Sequence, residues 1–159
     1  VLGAVAFTLM ALPSGELLGR HDPTLPLRGW PQFARDVEQR RVATGAAWVG
    51  TESYGVLAQL NDEHRTTAPL LQVVERDRYW ASDPARPDFS RPGLIVDLSR
   101  RLTVGNLRLC FADVRPEGEV FRAGGLTPNQ RYGAFLVSGP RRDIWTRGCP
   151  DEITPGVWR

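Results

Sequence analysis

The sequence predicts a small α/β domain of three layers, in which a short parallel sheet is extended by antiparallel strands in the C-terminal half. Three observations predict it. The stretch Thr44 to Leu60 opens with a short apolar run, Ala46-Ala47-Trp48-Val49, and passes through Gly50-Thr51-Glu52-Ser53 into a helical pattern with Tyr54, Leu57, Ala58 and Leu60 at three- and four-residue spacing. Two further short apolar runs, Leu70–Val74 and Gly93–Leu98, have the length of buried strands. Beyond Ser99 the pattern changes to short alternating segments punctuated by Gly and Pro, as antiparallel strands joined by turns would show.

Taken in order, Val1–Pro13 carries no charge. It is shorter than the roughly 20 residues that span a bilayer, and it lacks the basic start of a signal peptide. On residue chemistry alone it reads as a core segment, an h-region or the tail of a longer apolar helix. Residues 14–28 form a Pro- and Gly-rich linker, kept extended by Pro23 and Pro26. Residues 29–159 are expected to make one soluble domain. Pro31 suits the first turn of a helix running to Arg41, with Trp30, Phe33, Val37 and Arg41 on one face. Strands follow near 46–49, 70–74 and 93–98, with a helix over 54–61 after the first. Residues 75–92 are a long charged loop holding Pro84, Pro87, Pro92, Tyr79, Trp80 and Phe89. Leu107, Leu109 and Phe111 alternate like a strand. Glu119–Arg122 and Tyr132–Val137 follow as strands, separated by Gly124-Gly125 and Pro128-Asn129. The tail from Ser138 shows little periodicity.

Composition excludes some classes. The chain has 159 residues, enough for one core. A net charge of +2 does not argue for nucleic acid. All 20 basic residues are arginine, which leaves a surface rich in planar, bidentate donors for phosphate or carboxylate. Cys110 and Cys149 lack metal-ligand spacing, so no zinc site is expected. They would pair in an oxidising compartment and stay core thiols in the cytosol. Asn61-Asp62-Glu63-His64 reads as a charged helix end, because residues fanned round a helix axis cannot all face one metal. His21-Asp22 lies in the linker, and Cys149 has no histidine placed beside it. No nucleophile-elbow, zincin, P-loop or dinucleotide signature occurs. No catalytic residue, metal or cofactor is therefore assigned.

The best-placed chemistry is the turn Thr51, Glu52, Ser53, Tyr54. It lies at the carboxyl end of a strand and the start of a helix, where open sheets bind ligands and anions are favoured. If the three strands are parallel, the turn is expected to face the long loop, with Arg76, Arg78, Tyr79 and Trp80. Hydroxyls, an acid, arginines and aromatic rings suit a sugar or a phosphate. The competing reading is that Thr51 and Ser53 only cap the helix and the loop only covers the sheet edge.

Asp22-Pro-Thr, Leu27-Arg28-Gly29-Trp30, and Trp48-Val49-Gly50-Thr51-Glu52-Ser53-Tyr54 with Ala58-Gln59-Leu60 are arranged in a familiar order. Together with Gly93-Leu94-Ile95-Val96, they resemble the soluble C-terminal domain of bacterial glycosyltransferase family 39-like membrane proteins, relatives of the protein mannosyltransferases and the aminoarabinose transferase. The resemblance covers most of residues 22–137. It departs after Leu60, where Asn61-Asp62-Glu63-His64-Arg65 replaces an aromatic pair and a Pro-Gly turn. It implies a polytopic parent that moves a sugar from a polyprenyl-phosphate donor, with its catalytic acids in a loop that lies outside this sequence. Residues 1–13 then become the end of the last membrane helix, and the domain lies on the extracytoplasmic, periplasmic side. Its expected partners are the parent's membrane helices and a glycan, lipid-phosphate or protein acceptor. The alternative is a stand-alone soluble enzyme or binding module with its ligand at the Thr51–Tyr54 turn.

Overall fold

In the computed structural model, residues 25–74, 76, 85–125 and 127–150 are described. The run 1–13, most of the linker, and Arg78, Tyr79 and Trp80 of the candidate site lie outside them. After a short 3-10 turn at Leu25–Leu27, the elements are α1 (Trp30–Thr44), β1 (Trp48–Thr51), α2 (Tyr54–Glu63), β2 (Leu70–Gln72), β3 (Gly93–Leu98), α3 (Val104–Arg108), β4 (Phe111–Phe121), β5 (Arg131–Pro140) and α4 (Ile144–Arg147). The strands form one mixed sheet in the order β2-β1-β3-β5-β4. β1 is parallel to β2 and to β3, while β5 is antiparallel to both β3 and β4. The small parallel sheet with an antiparallel extension is therefore the architecture of the chain.

The sheet has two covered faces. On one, Phe33 and Val37 of α1 and Val56, Leu57 and Leu60 of α2 pack on Val49, Leu94, Val96 and Ala134. On the other, Leu102, Leu107, Cys110, Phe111, Ile144 and Cys149 pack on Trp48, Leu71, Ile95 and Val137. Cys110 and Cys149 form a disulfide, with Cα atoms 5.6 Å apart, inside this second layer.

Trp48 is 1% exposed and does not pack against the helix that carries Phe33 and Val37. It points to the opposite face, against Phe89 at 5.3 Å and Phe111 at 6.2 Å between ring centroids. Val49 takes the helix side. Two glycines make room for the indole. Gly93 lies directly opposite Trp48 in the ladder, and a Cβ there would come within 2.1 Å of the indole ring. Gly50, on the same face of β1, would meet Ile95, Val73 and Trp48 itself. The indole N–H donates to the Arg91 carbonyl at 3.2 Å.

Several boundaries differ from the sequence reading: β2 ends at Gln72 rather than Val74, the strand read at Glu119–Arg122 begins at Phe111, and the tail after Ser138 holds the end of β5 and α4. β1 begins two residues late, because the Ala46 amide still bonds back to Arg41, beside the left-handed Gly45 that ends α1. Gly50-Thr51, read as a turn, belongs to the ladder: both pair with β2, and Gly50 pairs with β3 as well. The alternation Leu107, Leu109, Phe111 is not a strand. Thr103 caps a short helix there by accepting from the Asn106 amide, which buries Leu107 and leaves Leu109 53% exposed. The strand starts at Phe111 and runs for 11 residues. Edge position lets β4 contain Pro116, and a register shift between Pro116 and Glu119 accommodates Gly118 at φ +83°.

The entry to the domain is tied down by Arg122, which is 4% exposed. Its guanidinium donates to the carbonyls of Leu25 and Arg28 and to the Tyr132 hydroxyl, and it stacks 4.6 Å from the Trp30 ring centroid. Gly29 has φ +79°, and a Cβ there would come within 2.5 Å of the Ala123 backbone nitrogen. The Gly29-Trp30 pair is thus a packing requirement of the fold.

Candidate functional site

Strand order places the site. β1 has β2 on one side and β3 on the other. The connection leaving β1 runs through α2 to β2, and the one leaving β3 runs the other way, through α3 to the antiparallel strands. Their divergence makes the carboxyl ends of β1 and β3 a topological switch point, where open α/β sheets hold ligands.

Asp97 lies there, fully buried as the next-to-last residue of β3. Its Oδ2 accepts from the Glu52 amide at 2.9 Å and the Ser53 amide at 2.7 Å, and its Oδ1 accepts from its neighbour Leu98 at 2.7 Å. The carboxylate therefore clamps the turn that leaves β1. Ser53 then caps α2, its hydroxyl oxygen accepting from the Val56 amide at 3.3 Å. The Thr51 hydroxyl donates to the Ser53 carbonyl at 3.2 Å. Both hydroxyls are engaged locally, in the capping role that competes with ligand binding.

Glu52 differs from its neighbours. It is only 8% exposed, and its Oε1 has no hydrogen-bond partner among the described residues. Burial, reinforced by the nearby Asp97 charge and opposed by Arg101, pushes its carboxyl from an ordinary 4.5 up to about 8. Burial also pushes Asp97 upward, but three amide donors oppose that shift. A carboxylate held by backbone N–H groups keeps its charge more readily than one without donors. With its carboxyl raised to about 8, Glu52 holds a proton at neutral pH. Tyr54, the first residue of α2, is 51% exposed at the same edge.

Arg76 is placed elsewhere. It is 1% exposed, and its Nε donates to the Trp145 carbonyl at 2.8 Å while its guanidinium lies 4.5 Å from the Trp145 ring centroid. It serves to dock α4 under β2. The structure thus brings Thr51, Glu52, Ser53 and Tyr54 together with Asp97, and turns Arg76 toward the C-terminal segment.

Asp97 is the residue that sequence reasoning passed over. Its signal was present: an acid inside the otherwise apolar run Gly93–Leu98, near the strand's carboxyl end. A carboxylate in a buried strand needs donors, and the nearest unpaired amides are those of a helix-opening turn. Among the described residues, no group of three or more His, Cys, Asp or Glu side chains is arranged to hold a metal ion, and no helix is long and apolar enough to cross a membrane. Compared with protein-family models, curated proteins and solved structures, the chain matches none.

Proposed function

We propose that the chain is an accessory, non-catalytic extracytoplasmic domain of a polytopic membrane glycosyltransferase that uses a polyprenyl-phosphate-linked sugar donor. The turn that leaves β1, Glu52-Ser53-Tyr54, meets sugar hydroxyls of the acceptor. The observation that carries the proposal is the turn itself. The stretch Trp48–Tyr54, central to the family resemblance, forms the end of β1, the Asp97 clamp and the start of α2. The disulfide supports an extracytoplasmic setting, since such bonds persist in oxidising compartments. A protonated acid can both donate to and accept from hydroxyls, and the exposed Tyr54 beside it can stack on an apolar sugar face. Two carboxyl groups at one turn favour a neutral sugar over a phosphate anion.

Two measurements test this. Sequencing the gene upstream of Val1 should reveal a series of apolar spans of about 20 residues each. A reading frame without them removes the parent enzyme. The purified chain should not transfer sugar from a polyprenyl-phosphate donor, and turnover by it alone would end the accessory reading. One observation favours a second reading, a stand-alone α/β enzyme or binding module. Glu52, with a free acceptor oxygen and a proton poised near neutral pH, has the attributes of a general acid. An upstream frame without spans would select that reading.

A further inference from the structure

A second surface lies away from the Glu52 turn and is independent of the glycosyltransferase reading. Leu109, Arg141, Arg142, Asp143 and Arg147 line an open recess of about 480 Å³. Its two walls come from distant parts of the chain, the α3–β4 junction and the β5–α4 junction, and are fixed to one another. The Arg141 amide donates to the Cys110 carbonyl at 2.7 Å and its Nε to the Phe111 carbonyl at 3.2 Å. The Cys110–Cys149 disulfide ties the residue after Leu109 to the segment that follows α4.

The charge balance is lopsided. Three guanidiniums face one carboxylate, and that carboxylate is already engaged. Asp143 caps α4 through the Thr146 amide at 3.1 Å, and the exposed Arg86 lies near enough to favour its charged form. The recess therefore presents a net positive field. At its rim, Leu109 is 53% exposed. An aliphatic side chain adds nothing to the capture of a free phosphate ion, but it adds apolar area where a surface meets lipid headgroups. Arginines around an exposed leucine have the composition of a contact with an anionic bilayer.

We propose that this recess docks the domain on a membrane surface rich in anionic phospholipids, with the arginines on headgroup phosphates and Leu109 at the acyl boundary. The test is co-sedimentation of the full chain with vesicles of phosphatidylcholine alone and with vesicles of phosphatidylcholine and phosphatidylglycerol in equal parts. Tighter binding to the anionic vesicles is expected, weakening as salt rises. Arg142→Gln with Arg147→Gln should weaken it about 25-fold, about fivefold for each charge removed. Arg142→Lys with Arg147→Lys should restore most of it. Both positions are exposed, so the fold should hold, and the salt series on the unmodified chain is a readout that needs no variant. Equal binding to both vesicle types, binding indifferent to salt, or an unaltered Gln variant would overturn the proposal. So would complete displacement by millimolar inorganic phosphate at constant ionic strength, which would identify a phosphate-ion site instead.

Discussion

At the scale of single residues, Glu52 carries the sharpest consequence. Its carboxyl titrates near 8 when folded and near 4.5 when not. The folded state then binds more protons than the unfolded state between those values, so stability falls as pH rises from about 4.5 through about 8. The full difference is on the order of 4–5 kcal/mol, because each pH unit between the two values contributes about 1.4 kcal/mol. Glu52→Gln keeps the shape and removes the titration. The variant should gain stability relative to the parent at pH 8 and lose that advantage near pH 5. Denaturant midpoints measured across this range check it, and parallel pH profiles for the two proteins would mean that Glu52 is solvated. The clamp at Asp97 has the opposite character: Asp97→Ala orphans buried amides, so it should damage the fold and is a poor probe of function.

At the scale of elements, the β1–β3 pair is built around the indole of Trp48. Trp48→Ala should cost about 3–5 kcal/mol. Gly93→Ala should also destabilise, by about 1–3 kcal/mol, because its Cβ would come within 2.1 Å of the indole. A Gly93→Ala variant with an unchanged midpoint would show that Trp48 does not lie across that glycine. The parallel strands and both long helices were legible because their apolar spacing is simple. Which face of β1 took the tryptophan was not, since a strand buried on both faces shows no alternation. The helix at Val104–Arg108 was hidden by an accidental period of two: Leu109, which completes the alternation, is exposed, and the Thr103 cap decides the structure instead. Half of the site was legible, as a turn between strand and helix. Asp97 was not, because its partners are backbone amides 44 and 45 residues away, which leave no pattern in side-chain chemistry.

At the scale of the whole molecule, one covalent link and one turn at the switch point carry the consequences that can be measured. The disulfide spans 39 residues and ties β4 to the end of the described chain. Reducing it should lower stability by about 4 kcal/mol, from the loop-closure entropy it removes from the unfolded chain. Denaturation with and without reductant measures this, and coincident curves would show that the cysteines do not pair in solution. The central proposal is that the Asp97-clamped turn receives sugar hydroxyls. Backbone amide shifts, followed while oligosaccharides, a polyprenyl-phosphate analogue and inorganic phosphate are titrated in turn, test it most directly. The Glu52, Ser53 and Leu98 amides all bond to the Asp97 carboxylate, so any ligand that reaches the pair must perturb them. The account predicts that an oligosaccharide shifts these three signals and that of Tyr54, that the sugar-free phosphate ligands leave them unmoved, and that Glu52→Ala abolishes the response. Unmoved signals at millimolar oligosaccharide, or a response centred on another part of the sheet, would contradict it.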